Sequence, residues 1–237
     1  VTIRVVIDER FNGPPRIVNG GYACATVAAG LDRPAEVMLR RPVPVSIPLF
    51  LTSEKRRATL QTDAGVLLAE AMTVDDVDGP VPEPIALTDA QDAMSHYPAR
   101  TWGTRMFPCF VCGPDRGDGF RVFPGPVPGR DVAAAVWRPD PALADGDGHM
   151  PDQLSSAVLD CTGSWSAIIH NGLRTGVLLG TMATAIFDQP RAGEPCVAVG
   201  WAGPRDGRKL PAEAALFTGS GDLLARARLL CIEPRPH

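Results

Sequence analysis

Histidine is scarce in this chain of 237 residues, and the four present (His96, His149, His170 and His237) stand at no spacing that serves catalysis. Basic residues do not dominate either: 23 Lys and Arg against 27 Asp and Glu leave a net charge of −4. That balance excludes the broad basic face that general nucleic-acid binding requires. No apolar run reaches the ~18–20 residues of a membrane span, and no charged-then-apolar leader opens the sequence. A soluble, cytoplasmic protein is therefore expected. Six cysteines are too few for a secreted disulfide scaffold of this length. Most lie in apolar segments such as "LDC" and "LLC", where a reduced thiol acts as a small hydrophobe.

What is present is a 45% hydrophobic composition, enough for a buried core, broken into short elements by 24 glycines and 24 prolines. The first half reads as a strand, "TIRVVI", then a Gly/Pro loop, then an apolar helix from Tyr22 to about Leu31. Strand-like runs follow at "AEVMLRRPV", "SIPLFLT", "RRATLQTD" and "GVLLAEAMTV", the last two joined as a hairpin at "TDAG". A Pro- and Asp-rich stretch over 75–104 reads as a linker with a short helix at "LTDAQDAMS". The second half repeats the order: strands at "FRVFPGPV" and "DVAAAVWRP", a helix at "PDQLSSAVLDCTGSWSAIIH", then "GVLLGTMATAIFD", "CVAVGWAG" and a hairpin in "AEAALFTGSGDLLARARLLCIE". In that helix Leu154, Ala157, Val158 and Cys161 share one face at i, i+3, i+4, i+7. The repeat predicts an α+β fold of two tandem units, 1–104 and 105–237, each an antiparallel sheet around one helix.

Two stretches carry the chemistry. Val18-Asn19-Gly20-Gly21-Tyr22 opens the first helix. Asn suits a helix cap, and two glycines let a ligand approach the free N–H groups of the first turn. Both readings stand at this point. Asp160 sits mid-helix between Leu159 and Cys161, where an unpaired buried carboxylate is costly. It must be exposed, paired or functional.

These residues resemble the hotdog-fold thioesterases. "CFVCGPDRGDGFRVFPGPV" (Cys109–Val127) is similar to the Cys-x-x-Cys-Gly opening strand region of many members, and Asn-Gly-Gly before an apolar helix is similar to their His-Gly-Gly or Asn-Gly-Gly helix start. In that family a catalytic acid often follows nine residues after the His. Nine residues after Asn19 stands Ala28, and nine before Asp160 stands Pro151. Each helix keeps one half of the motif, as in double-hotdog acyl-CoA thioesterases that build one composite site. The resemblance implies Asp160 as base or nucleophile, Asn19 orienting water or polarising the carbonyl, and Gly20 and Gly21 holding the oxyanion. It leaves the second locus, at Ala28 and Pro151, without an acid. Tyr22, Ser156, Trp165 and Met182 are expected to line an acyl channel, and an assembly of two or more copies is expected. The substrate would be an acyl-CoA or acyl-carrier thioester. Coenzyme A enters only as part of it, with no cofactor and a role in lipid metabolism.

The basic turns "EKRR" (Glu54–Arg57) and "RDGRK" (Arg205–Lys209) are candidates for coenzyme A phosphates, though exposed basic turns generally serve solubility. Cys109-Phe-Val-Cys112-Gly113 has the shape of a zinc knuckle. A closed tetrahedral site needs four ligands, and Cys161, Cys196 and Cys231 stand isolated in the sequence. The motif is therefore read as a tight turn and no metal is expected. A non-catalytic acyl- or CoA-binding protein on the same fold is the alternative function. A hydratase is disfavoured, because Trp165 stands five residues beyond Asp160 where that branch has a histidine.

Overall fold

The alternation of apolar residues in the first half resolves into five strands: β1 (Thr2–Val5), β2 (Ala35–Leu39), β3 (Leu49–Ser53), β4 (Arg57–Thr62) and β5 (Leu67–Thr73). The computed structural model describes residues 1–32, 34–102 and 108–235; the expected boundary at 104/105 and His237 lie outside them. The β4–β5 hairpin turns at Gly65, whose φ of +74° is a conformation glycine adopts without a Cβ penalty. Six further strands follow: β6 (Gly125–Pro126), β7 (Ala133–Trp137), β8 (Leu178–Ile186), β9 (Cys196–Ala202), β10 (Lys209–Thr218) and β11 (Leu223–Ile232). All eleven form one antiparallel sheet in the order β1-β3-β4-β5-β2-β8-β11-β10-β9-β7-β6. The two halves meet where β2 pairs β8, through Glu36–Ala183, Val37–Met182 and Met38–Thr181.

Among the described residues three α-helices pack on this sheet: α1 (Gly20–Ala28), α2 (Leu87–Ser95) and α3 (Asp152–His170). Helix α1 lies on β2, β4, β5 and β8, α3 lies on β7, β9, β10 and β11, and the two helices pack against each other. The expected apolar stripe of α3 is buried throughout. Helix α2, expected at these residues, is no loose linker element. Its Ala90 and Ala93 join Ala134, Val136, Val197 and Val199, while the alternate residues Ala135, Trp137 and Ala198 face the main core. The two faces of the second-half sheet are thus both covered, which explains why its strands read as continuous apolar runs.

Two expectations change. Helix α1 starts at Gly20, two residues before the expected start, because the Asn19 side chain accepts from the Tyr22 N–H and fixes the cap, and it ends at Ala28, three residues before the expected end. "FRVFPGPV" yields only the two-residue β6, since Pro124 and Pro126 offer no N–H to a ladder. Among the described residues no helix is long and apolar enough to cross a membrane.

The 75–86 segment is tied to the sheet by Arg226 of β11. Its guanidinium donates to Glu213 Oε2 and to the Gly79 carbonyl, both at 2.6 Å, and the side chain is 4% exposed. Its loss leaves the Gly79 carbonyl and the partly exposed Glu213 carboxylate without a donor, so Arg226→Ala should cost about 2 kcal/mol, read as a lower urea midpoint. An unchanged midpoint would show that this tie contributes nothing.

Candidate active site

The start of α1 abuts the middle of α3 because Gly21 has no side chain. A Cβ there would stand 2.2 Å from the Ser156 carbonyl oxygen and 2.6 Å from Asp160 Cβ. This close approach places the Gly21 N–H 2.9 Å from Asp160 Oδ2. The carboxylate's other oxygen, Oδ1, accepts from Ser164 Oγ at 3.2 Å. Asp160 is therefore buried and paired, and it sits at the positive end of a helix dipole. Burial pushes its pKa up; the Gly21 N–H opposes this, charge on Cys109 adds to the rise, and Ser164 and Asn19 pull it back. The balance is about 7, where a carboxyl group can both take and return a proton.

Gly20 lies over the same carboxylate. A Cβ there would be 3.1 Å from Asp160 Oδ2 and 2.8 Å from Leu179 Cδ2. Its N–H has no hydrogen-bond partner among the described residues, as expected of a first-turn donor. Gly20, Leu179 and Ser164 are half-buried, so access to the carboxylate runs past them.

The expected site residues divide. Asn19, Gly20, Gly21 and Asp160 come together. Asn19 is buried and committed on both ends: Oδ1 caps α1, and Nδ2 faces Cys161 Sγ at 3.6 Å and Cys109 Sγ at 3.8 Å. That geometry supports a positioning role and leaves no atom of it free for a carbonyl. Of the two glycines, only Gly20 keeps an N–H for an oxyanion, since Asp160 takes the other. Ser156 and Met182 line a cavity of about 750 Å³ with Cys24, Ala25, Ala28 and Pro151. Tyr22 does not line it; its ring stacks on Phe11 at 4.5 Å and meets Phe110 edge-on. Trp165 packs instead among Tyr97 and Trp102. The four expected wall residues thus belong to three clusters.

Cys161 is not isolated in space. Cys109, Cys112 and Cys161 are all buried, with sulfurs within 4.8 Å of one another. Hydrogen bonds from the Cys112 and Cys161 thiols, then from the Cys112 and Val111 backbone, hold Cys109 well below the usual thiol range. Spacing along α3 gave no sign of this, because the approach depends on where the 108–123 loop lands. That loop is anchored by Arg116, which donates to Asn12 Oδ1, the Pro108 carbonyl and the Arg10 carbonyl, and pairs with Asp118. In the basic turns, Arg57 pairs with Glu70, Arg205 with Glu233 and Lys209 with Asp206 of its own turn. A groove of about 940 Å³ lined by Arg10, Arg16 and Arg116 together with Glu9, Asp115 and Asp118 was not foreseen.

The fold is that of the hotdog proteins. A hot dog-fold protein of unknown function from Alicyclobacillus acidocaldarius superposes over 100% of this chain and 94% of its own, with TM-score 0.54 and 14% identity. A candidate thioesterase from Novosphingobium aromaticivorans covers 99% of this chain and 96% of its own (TM-score 0.62, 13% identity). A TesB protein from Mycobacterium avium subspecies paratuberculosis covers 93% and 89% (TM-score 0.59, 18% identity). No family model and no curated protein matches the sequence.

Proposed function

We propose that this chain is a tandem hotdog protein, with units 1–104 and 105–237, that hydrolyses an acyl thioester at one composite site. The observation carrying this reading is the buried Asp160 carboxylate held by the Gly21 N–H and lying against Gly20, whose own N–H has no partner among the described residues. The thioester carbonyl approaches Gly20, whose N–H and helix dipole stabilise the developing oxyanion. Asp160 removes a proton from water as the water oxygen bonds to the carbonyl carbon. The tetrahedral adduct then collapses, the C–S bond breaks, and the protonated Asp160 returns its proton to the departing thiolate. The products are a carboxylic acid and a free thiol. The TesB and thioesterase names among proteins of this fold are in keeping with that chemistry.

The acyl chain is assigned to the cavity at the Ala28 and Pro151 end of the α1–α3 contact. Ser156 lies one helical turn before Asp160, and Ala25, Ala28 and Met182 give the cavity an apolar wall. The test is thiol release from straight-chain acyl-CoAs of two to sixteen carbons. Wild type should turn over, with a chain-length preference. Ala28→Phe, which fills the cavity from a half-buried position, should lower kcat/KM for long chains by about tenfold or more and leave acetyl-CoA nearly unchanged. Binding of CoA esters without turnover at any length would sink the hydrolase reading in favour of a non-catalytic binding protein.

A further inference from the structure

The Cys109, Cys112 and Cys161 cluster supplies no reacting group to the proposed thioester chemistry, yet its three sulfurs converge in the core. The Cys109–Cys161 sulfur separation is 3.6 Å. Zinc–sulfur bonds of ~2.3 Å on a tetrahedron place neighbouring sulfurs about 3.8 Å apart. The Asn19 Nδ2 amide donates to two of these sulfurs, Cys161 Sγ at 3.6 Å and Cys109 Sγ at 3.8 Å, and the Val111 and Cys112 backbone favours the thiolate form of Cys109 as the Trp165 indole favours that of Cys112. Neutral thiols are weak acceptors and do not require such a set, whereas metal thiolates do. The contrast within the chain is direct. The Cys196 thiol donates to the Glu194 carbonyl, and Cys231 shares a contact with Ser164.

The turn that presents two of the thiols is held before any ligand arrives. The Gly113 N–H closes it onto the Cys109 carbonyl at 2.8 Å, the Phe110 N–H donates to Asn12, and the Tyr97 hydroxyl donates to the Cys112 carbonyl at 3.0 Å. Three thiolates within 4.8 Å of one another repel strongly in a buried setting, and a divalent cation removes that cost. With it the cluster carries a residual charge of −1, which the converging N–H groups accept. Asp160 is engaged by Gly21 and Ser164 and is not a ligand.

We propose that Cys109, Cys112 and Cys161 bind one zinc ion through three thiolates, with the fourth position left to a water or other exogenous ligand. The thiol protons are released to solvent on binding. The ion would clip the 108–123 loop to α3 and, through Asn19, to the cap of α1, whether or not the chain hydrolyses thioesters.

The test uses the full chain purified under reducing conditions. Elemental analysis should find one zinc per chain in wild type and in Cys196→Ser, and almost none in Cys161→Ser. Because Cys161→Ser also alters packing beside Asn19, metal-stripped wild type is titrated with cobalt(II). A near-ultraviolet thiolate-to-cobalt charge-transfer band should saturate at one equivalent and disappear on adding zinc. Competition with a chromogenic chelator should show binding weakened on the order of 100-fold or more in Cys112→Ser. A cobalt spectrum indistinguishable from the aquo ion, or zinc content equal in wild type and Cys161→Ser, overturns the proposal. So does an intact mass two hydrogens light under these conditions, which would show a disulfide instead.

Discussion

Replacing Asp160 with Asn should nearly abolish thioester hydrolysis while making the protein more stable above neutral pH. The amide is isosteric: its oxygen can accept from the Gly21 N–H and its nitrogen can donate to Ser164, so both contacts survive. It cannot take a proton from water, and a loss of about a thousandfold in kcat/KM follows for removal of a general base. The stability effect has a definite sign. The Asp160 carboxyl titrates near 7 in the fold and near 3.8 when exposed, so between those values the folded state binds a proton the unfolded state has released. Wild-type stability therefore falls as pH rises from about 4 to about 7, and the loss is complete above 7. At ~1.4 kcal/mol per pH unit the full window is worth on the order of 4 kcal/mol. Asp160→Asn escapes it, so the two proteins should match at pH 4 and diverge by pH 8. Equal urea midpoints at pH 8, or an undiminished rate, would remove Asp160 from its assigned place. In wild type, kcat/KM should rise about tenfold per pH unit up to about 7 and level off beyond it.

The adjacent glycines should separate stability from activity. Gly21→Ala drives a methyl into the Ser156 carbonyl and Asp160 Cβ, both on the backbone or rigid stem of α3. Neither can step aside, so α1 must lift from α3, at a cost of about 3 kcal/mol or more, with the Gly21–Asp160 bond stretched or lost. Gly20→Ala meets chiefly the far end of Leu179, a flexible neighbour, and alanine is the better helix former. Its stability should stay within about 1 kcal/mol of wild type. The same methyl sits over Asp160 Oδ2 and obstructs the carbonyl's approach, so kcat/KM should drop by about a hundredfold. Denaturant midpoints and steady-state rates on both variants decide the matter. An active Gly20→Ala would mean the thioester enters elsewhere.

Much of this architecture is legible locally. The stripe from Leu154 to Cys161 marks α3, "LTDAQDAMS" marks α2, and Gly65 marks a hairpin, because each depends on neighbours within a few residues. The mid-helix carboxylate also declares itself, since burial of an unpaired charge is costly wherever it occurs. What stays hidden depends on contacts between distant segments. The β2–β8 junction is invisible to periodicity, which sets which face a residue occupies but not which strand lies alongside. Cys161 reads as one more apolar helix residue until the Cys109 loop is laid against it. The thioesterase resemblance makes Tyr22 and Trp165 expected acyl-channel walls, but aromatic rings go where other rings are, and Phe11, Tyr97 and Trp102 claim them first.

The packing of α1 on α3 also has an electrostatic consequence. At one end of the contact, the α1 start receives a carboxylate from α3. At the other, the α3 start at Pro151 faces Ala25 and Ala28 of α1 across the 750 Å³ cavity. A symmetric arrangement would bury two acids, each bearing its own desolvation cost and each raising the other. This chain buries one. Asymmetry along a single polypeptide thus halves the alkaline penalty of the machinery, and the volume that a second carboxylate and its partners would have filled is left as space.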